Sequence, residues 1–342
     1  MTIDATASKR QKRRTDRLKE QNIHKTTVLV HEECKPAFED LRNHLIDPHK
    51  AEALAALILQ LHDKKKPTNV AQVRQLSPFR YPGGKTWLVP EVRKWLMASA
   101  IRPSVLIEPF AGGAMIGLSA AAEGLVDSVL LGELDDDVAA VWQTIFHEKE
   151  EDVAWLRQTI IDFEVNLENV RAILDGNPHT VTGRAFRTIV KNRMQRGGIM
   201  AAGAGLIKSG EAGRGLKSRW YPETLAKRID ALQGLRESIT FEQTDAFEVV
   251  RRYADESKAF FFIDPPYTAG GKKAGSRLYS HNEVDHEGLF SLMSEVNGTV
   301  MMTYDDAPEV RELAKKHHFR IEEVPMKNTH HAVIRELLLL KP

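Results

Sequence analysis

Seven short apolar runs constrain what this chain can fold into. They span 105–110, 128–134, 239–243, 259–263, 299–304, 320–324 and 332–340, and helical spacing fills several of the intervals between them. Continuous apolar strands of this kind are buried on both faces. Strands that alternate with helices build a mainly parallel, doubly wound sheet. In such a sheet, ligands lie beyond the carboxyl ends of the strands. The residues that follow each strand are therefore the place to look for function.

The first run closes in Glu108-Pro109-Phe110-Ala111-Gly112-Gly113-Ala114, and a helical stretch from Met115 to Glu123 follows. A strand, a glycine turn and a helix let a ligand approach the backbone closely, which is the geometry of a nucleotide or nucleoside site. The spacing is not that of the dinucleotide fingerprint, and the Gly-Lys-Ser/Thr of a P-loop is missing. Alone, the motif is explained equally well as a tight strand-to-helix turn. The second run ends Leu131-Gly132-Glu133-Leu134-Asp135, with Glu133 25 residues after Glu108. An acid there is placed to accept both ribose hydroxyls. Acids at strand ends also cap helices, here Asp135 or Asp136.

The most specific segment is Phe260-Phe261-Phe262-Ile263-Asp264-Pro265-Pro266-Tyr267. Four apolar residues form a buried strand, and two prolines then forbid regular hydrogen bonding and stiffen the turn. Asp264 precedes a proline and is held extended at the carboxyl edge of the sheet. Its carboxylate and the Pro265 carbonyl can both accept hydrogen bonds from one amine, while Tyr267 can stack on a planar base. Together they would grip an exocyclic NH2 and leave its nitrogen facing a methyl donor.

Elsewhere the sequence speaks mainly through charge. The chain carries a net charge of +1, yet nine Lys or Arg and a single acid, Glu211, lie between Arg184 and Arg219. Seven more basic residues fall between Lys9 and Lys19 against Asp16. Clusters like these on a near-neutral protein point to a polyanion surface, or else to solvated charge. Residues 191–219 hold seven glycines and few large apolar residues, and read as an exposed loop or hairpin module with little core of its own. Residues 1–27 read as a disordered or loosely helical basic tail, and 33–63 as helix. Cys34 is the only cysteine, so an internal disulfide and a thiolate zinc site are excluded. No apolar run approaches the roughly 20 residues needed to cross a bilayer, and the N-terminus lacks a secretory h-region. A cytoplasmic protein without a membrane partner is expected.

The tetrad Asp264-Pro265-Pro266-Tyr267, with Glu108-Pro109-Phe110-Ala111-Gly112-Gly113 upstream, resembles the Dam-type (D12 class) DNA adenine-N6 methyltransferases. Arg80-Tyr81-Pro82-Gly83-Gly84-Lys85 resembles the family's N-terminal cofactor motif. Asp285-His286-Glu287-Gly288-Leu289 and the closing 335–342 resemble its later segments. The resemblance covers about 77–342 and implies a Rossmann-like S-adenosylmethionine-dependent methyltransferase sheet. It also implies a target-recognition module inserted at about 150–238, behind a basic, helical extension of 1–76.

The same resemblance implies roles. Tyr81 and Lys85 would contact S-adenosylmethionine, and Glu108 and the turn from Phe110 through Gly112 and Gly113 would hold its methionine end. Glu133 would take the ribose, where many relatives have Asp. Asp245 and Phe247 would meet the cofactor's adenine ring, and Asp264 through Tyr267 the target adenine. Lys191, Arg193, Arg196, Arg214, Lys217 and Arg219 would contact double-stranded DNA, in a bacterial or phage-infected cell, with a cognate restriction enzyme as a conceivable companion. One departure is that Gly112-Gly113-Ala114 stands where some members have Gly-Ala-Gly. The insert itself gives no warrant for GATC as the target.

The expected chemistry is base flipping followed by in-line methyl transfer to adenine N6, carried by positioning and electrostatics. No metal is required, and His330-His331 reads as packing or surface. Methylation of cytosine N4, RNA or a protein amide would keep the chemistry and change the acceptor; the acidic first position of the tetrad disfavours it. A catalytically silent DNA-binding regulator is the alternative of a different class, and the intact tetrad argues against it.

Overall fold

The computed structural model describes residues 73–80, 84–99, 101–200, 204–210, 213–266, 284–327 and 333–341. All lie in the compact unit Lys64–Pro342. The helix expected at 33–63 and the basic tail of 1–27 fall outside the described residues.

Among the described residues, every apolar run forms a strand. They are β1 (Val105–Glu108), β2 (Ser128–Glu133), β3 (Ile239–Gln243), β4 (Ala259–Ile263), β5 (Thr299–Asp305), β6 (Arg320–Lys327) and β7 (Val333–Leu340). They make one sheet in the order β3-β2-β1-β4-β5-β7-β6. β1 to β5 pair in parallel, and β7 runs antiparallel to both β5 and β6. The order reverses beside β1, which separates β2 on one side from β4 on the other. This is the crevice where ligands bind in open α/β sheets.

Strand periodicity explains why the apolar runs are continuous. Phe260 and Phe262 of β4 enter one core cluster with Leu106, Val129 and Leu131, whereas Phe261 and Ile263 enter the other with Val105, Ile107 and Leu130. Both faces of the sheet are buried, so both phases of each strand must be apolar.

Helices cover the faces. α1 (Val89–Ala98) leads in to β1, and α2 (Met115–Ala122) connects it to β2. After β2 comes α3 (Asp136–Phe146), capped by the Asp135 carboxylate, which accepts from Asp137 N at 2.9 Å and Val138 N at 3.0 Å. One helix would suffice for a parallel crossover. Here the chain adds α4 (Glu150–Asp162), α5 (Leu167–Asp175), α6 (Val181–Met194) and α7 (Pro222–Gln233) before β3 begins. α8 (Ala246–Arg252), α9 (His286–Glu295) and α10 (Pro308–Lys316) complete the described helices.

The glycine-rich stretch after α6 corrects one expectation. It does contribute to the core: Met200 is buried, Leu206 and Leu216 pack against the larger cluster, and Trp220, which closes the stretch, is buried in it. A few large side chains spaced between glycines anchor the stretch, although its average composition is poor in them.

The junction of β4 and β5 leaves no room for a side chain at Gly298. A Cβ there would collide with the Ala259 carbonyl oxygen and lie 2.8 Å from Phe261 Cε2. Backbone and a fully buried ring cannot yield cheaply. Gly298→Ala should lower stability by about 1–3 kcal/mol, read as a lower denaturant midpoint at unchanged m-value. A shift below about 0.5 kcal/mol would show that the start of β5 moves freely.

Candidate active site

The parallel strands all end at one edge of the sheet, and the acids singled out in the sequence lie along it. Glu108 is the last residue of β1 and Glu133 the last of β2. Asp245 lies two residues beyond β3, and Asp264 directly follows β4. β7 runs the other way, so its early residues reach this same edge, and Glu336 pairs with Asp305 at the end of β5.

Lys85 brings two of these groups together. It opens a short 3-10 turn, Lys85–Leu88, just before α1. Its Nζ lies 3.1 Å from Asp264 Oδ1 and 2.8 Å from Glu336 Oε1. The Thr303 hydroxyl donates to the same Glu336 oxygen at 2.8 Å. Burial by itself would lower the Lys85 pKa. The charge of Asp264, and then that of Glu336, outweighs it and raises the pKa above its ordinary value. Lys85 is therefore a fixed cation. Asp264 is partly exposed, at 22% of its side chain, and Lys85 holds its Oδ1.

Glu108 is buried, and its Oε2 accepts from Gly117 N in the first turn of α2 at 2.7 Å. The turn between them holds Gly112 at φ 46° and Ala114 at φ 51°, both left-handed. Alanine holds the left-handed conformation at position 114 at a steric cost that glycine would not incur. Trp142 of α3 donates its indole N–H to the Gly112 carbonyl at 2.9 Å and pins the turn.

Glu133 is half-buried. Its carboxylate accepts from Gly112 N, Leu134 N and Asp135 N, each at 2.9 Å. Burial raises its pKa, with these N–H groups opposing the rise. Thr244 N donates to the Glu133 carbonyl at 3.2 Å, which brings the end of β3 alongside. Asp245 there accepts from Phe247 N at 2.9 Å and caps α8, while the Phe247 ring lies against the Arg251 guanidinium. Phe110 is half-buried against the second core cluster, Pro265 is buried and Pro266 half-buried. Gly113, also half-buried, completes the turn. Tyr81 and Tyr267 lie outside the described residues.

Sequence reasoning missed Glu336, Thr303 and Tyr304. Tyr304 is buried, and its hydroxyl lies 3.0 Å from His286 Nδ1. Burial, and then the charge of Asp264, raises its pKa, so it remains a neutral phenol. Burial lowers the His286 pKa, with Asp285 opposing. The signal for Glu336 was present: it is an acid inside a strand and is followed by four leucines.

The basic residues divide into two groups. Arg193 is buried and donates to the Pro78 carbonyl; burial, and then the charges of Arg228, Arg80 and Arg219, lowers its pKa to about 10. Lys191 pairs with Asp137 at 3.1 Å. Arg196, Arg214 and Lys217 are exposed, and Arg219 is half-buried. Among the described residues, no group of His, Cys, Asp and Glu could hold a metal ion, and no helix is long and apolar enough to cross a membrane.

Six strands of the sheet run one way and β7, just inside the far edge, runs the other, with acids at the ends of the central strands. Residues 81–329 match the D12 class N6 adenine-specific DNA methyltransferases, and the chain belongs to that family. Among solved structures it is similar to a putative RNA methyltransferase, PH1948, from Pyrococcus horikoshii. That match has 13% identity and a TM-score of 0.34, and covers 85% of this chain and 96% of that one. It is also similar to TrmN from Thermus thermophilus, at 14% identity and a TM-score of 0.32, covering 80% of this chain and 51% of that one. A third is the putative methyltransferase yhhF from Escherichia coli, at 10% identity and a TM-score of 0.32, covering 75% and 86%. Among curated proteins, no match is found. The comparisons lend no support to a companion restriction enzyme.

Glu108 gives the site a pH signature. Burial pushes its carboxyl up to about 8, the Gly117 N–H pulls it down, and Asp264 pushes it further up. The folded chain thus keeps a proton that the unfolded chain loses near the ordinary value of 4.5. Stability from this group is whole below that value and is lost as pH rises to about 8. The Tm of the wild type minus that of Glu108→Gln should therefore fall across this window and level off above it. Parallel pH profiles for the two proteins would show that Glu108 is ionised throughout.

Proposed function

We propose that this methyltransferase transfers a methyl group from S-adenosylmethionine to N6 of an adenine flipped out of double-stranded DNA. The observation that carries the reading is Asp264. It stands at the end of β4 before two prolines, held by Lys85 and still partly exposed at the edge of the sheet. Membership of the D12 class supports the acceptor.

The residues present fit the cofactor. Glu108 is a buried acid beside a glycine turn at a helix N-terminus, a place suited to the polar methionine end. Glu133 would take the ribose, and Asp245 with Phe247 the adenine ring, with Tyr81, Lys85, Phe110, Gly112 and Gly113 completing the pocket. When bound, S-adenosylmethionine supplies an electrophilic methyl group on a sulfonium.

The chain's own residues then do two things. They hold the flipped base, whose extrusion costs a few kcal/mol, against Tyr267. They also accept hydrogen bonds from its amine, at the Asp264 carboxylate and the Pro265 carbonyl. N6 is a poor nucleophile because its lone pair is delocalised into the ring. Two acceptors favour the pyramidal nitrogen whose lone pair can attack. Asp264 needs to be ionised for this, and the fixed cation of Lys85 favours that state.

Affinity for DNA would come from basic residues on phosphates and specificity from side chains at base edges. Arg196, Arg214, Lys217 and Arg219 of the inserted region are our candidates. Lys191 and Arg193, also expected at the DNA, have the internal partners described above.

Incubation with labelled S-adenosylmethionine and either DNA or RNA, followed by nucleoside analysis, tests the reading. N6-methyladenine in DNA is expected; label in cytosine or in RNA alone would overturn it. Asp264→Ala should lower kcat by at least about a hundredfold while leaving DNA binding in place. Near-normal turnover of that variant would remove Asp264 from the mechanism.

A further inference from the structure

Asp264 is held in place from the far end of the chain. Lys85 reaches both it and Glu336, and Thr303 donates to the Glu336 oxygen that Lys85 binds. Lys85, Thr303 and Glu336 are buried at 6%, 0% and 3% exposure, so each charge has been taken from water and depends on its partners.

Lys85 alone could not fix a carboxylate. An ammonium on a flexible four-carbon stem has three rotatable donors and no preferred direction. Its position is set by whatever else it binds. Glu336 is a stiff anchor, because its strand is tied to β5 on one side and to β6 on the other. Thr303, on the neighbouring β5, holds Oε1 of that anchor.

We propose that Glu336 and Thr303 are positioning residues for methyl transfer: Thr303 orients Glu336, Glu336 places Lys85, and Lys85 aims Asp264 at the acceptor amine. The inference rests on Asp264 being the group that receives that amine. Glu336 also shares the Lys85 ammonium with Asp264, which lessens the hold of that charge on Asp264.

Thr303 offers a test that separates this role from packing. Thr303→Val keeps the volume and removes the donor, leaving a buried carboxylate oxygen one hydrogen bond short. Thr303→Ser keeps the donor and removes a methyl group. Positioning predicts that Val lowers kcat by roughly 10-fold to 100-fold, the equivalent of one hydrogen bond to a charged group. KM for DNA should stay within about twofold, and Ser should stay close to wild type. A packing role predicts the reverse order, with Val benign and Ser impaired, and that result would overturn the proposal. A crystal structure of Thr303→Val supplies a readout free of turnover: a displaced Lys85–Asp264 contact is expected, and an unchanged one would overturn the proposal. Failure of the wild type to methylate any nucleic acid would instead sink the proposed function, and the crystal structure would still decide the positioning.

Discussion

A buried ammonium between two carboxylates is the interaction on which the site depends. Lys85, Asp264 and Glu336 come from positions far apart in the chain, and their contacts of 3.1 and 2.8 Å exist only when the start of the domain, β4 and β7 are all in place. Such a cluster is a poor investment in stability. Desolvation consumes most of the Coulombic gain, and well-packed apolar residues of similar volume often serve as well or better. What apolar residues cannot supply is a negative charge of fixed position at the mouth of the sheet. The cluster is better understood as holding Asp264 than as holding the fold.

Topology explains why that charge lies where it does. Parallel strands deliver their carboxyl ends to one edge, so Glu108, Glu133 and Asp264 converge without any special device. A seventh strand in the same direction would have brought its last residues there. Because β7 is reversed, it presents Glu336 from its first half, opposite Asp305, while its leucines run back into both cores. One strand thus serves both as core and as a ligand for Lys85.

Strands, glycine turn and Asp264 were legible in the sequence because each is a local signal. An apolar run closed by Asp-Pro-Pro states both where a strand stops and what stands at its end. Glu336 was not legible in the same way, since its partner lies 251 residues away at Lys85 and no local pattern names it. The burial of Arg193 was not legible either, for a different reason. A count of basic residues cannot tell which guanidiniums face water, and a guanidinium with several donors can be satisfied by backbone carbonyls inside the fold. Asp245 carries two meanings at once, because an acid after a strand is well placed for a ligand and also for capping the next helix.

The segment between β2 and β3 is tied to the Lys85 end of the sheet through α6. Near its end, Asn192 exchanges hydrogen bonds with the Arg80 backbone, accepting from the amide at 2.8 Å and donating to the carbonyl at 3.1 Å. Arg193 holds the Pro78 carbonyl, and Arg228 of α7 holds the Ser77 carbonyl at 2.7 Å. These side chains grip the segment that leads directly to Lys85. Further back on the same helix, Arg187 and Lys191 pair with Asp137 in the helix that follows Glu133. Part of this segment's positive charge is therefore committed to joining it to the stretch before Lys85 and to the helix after β2. The charge that remains exposed, on Arg196, Arg214 and Lys217, follows α6 in the chain. A surface mounted in this way inherits the rigidity of the sheet edge. α6 and α7 thus hold the Ser77–Arg80 backbone, just ahead of Lys85 in the chain, by direct hydrogen bonds.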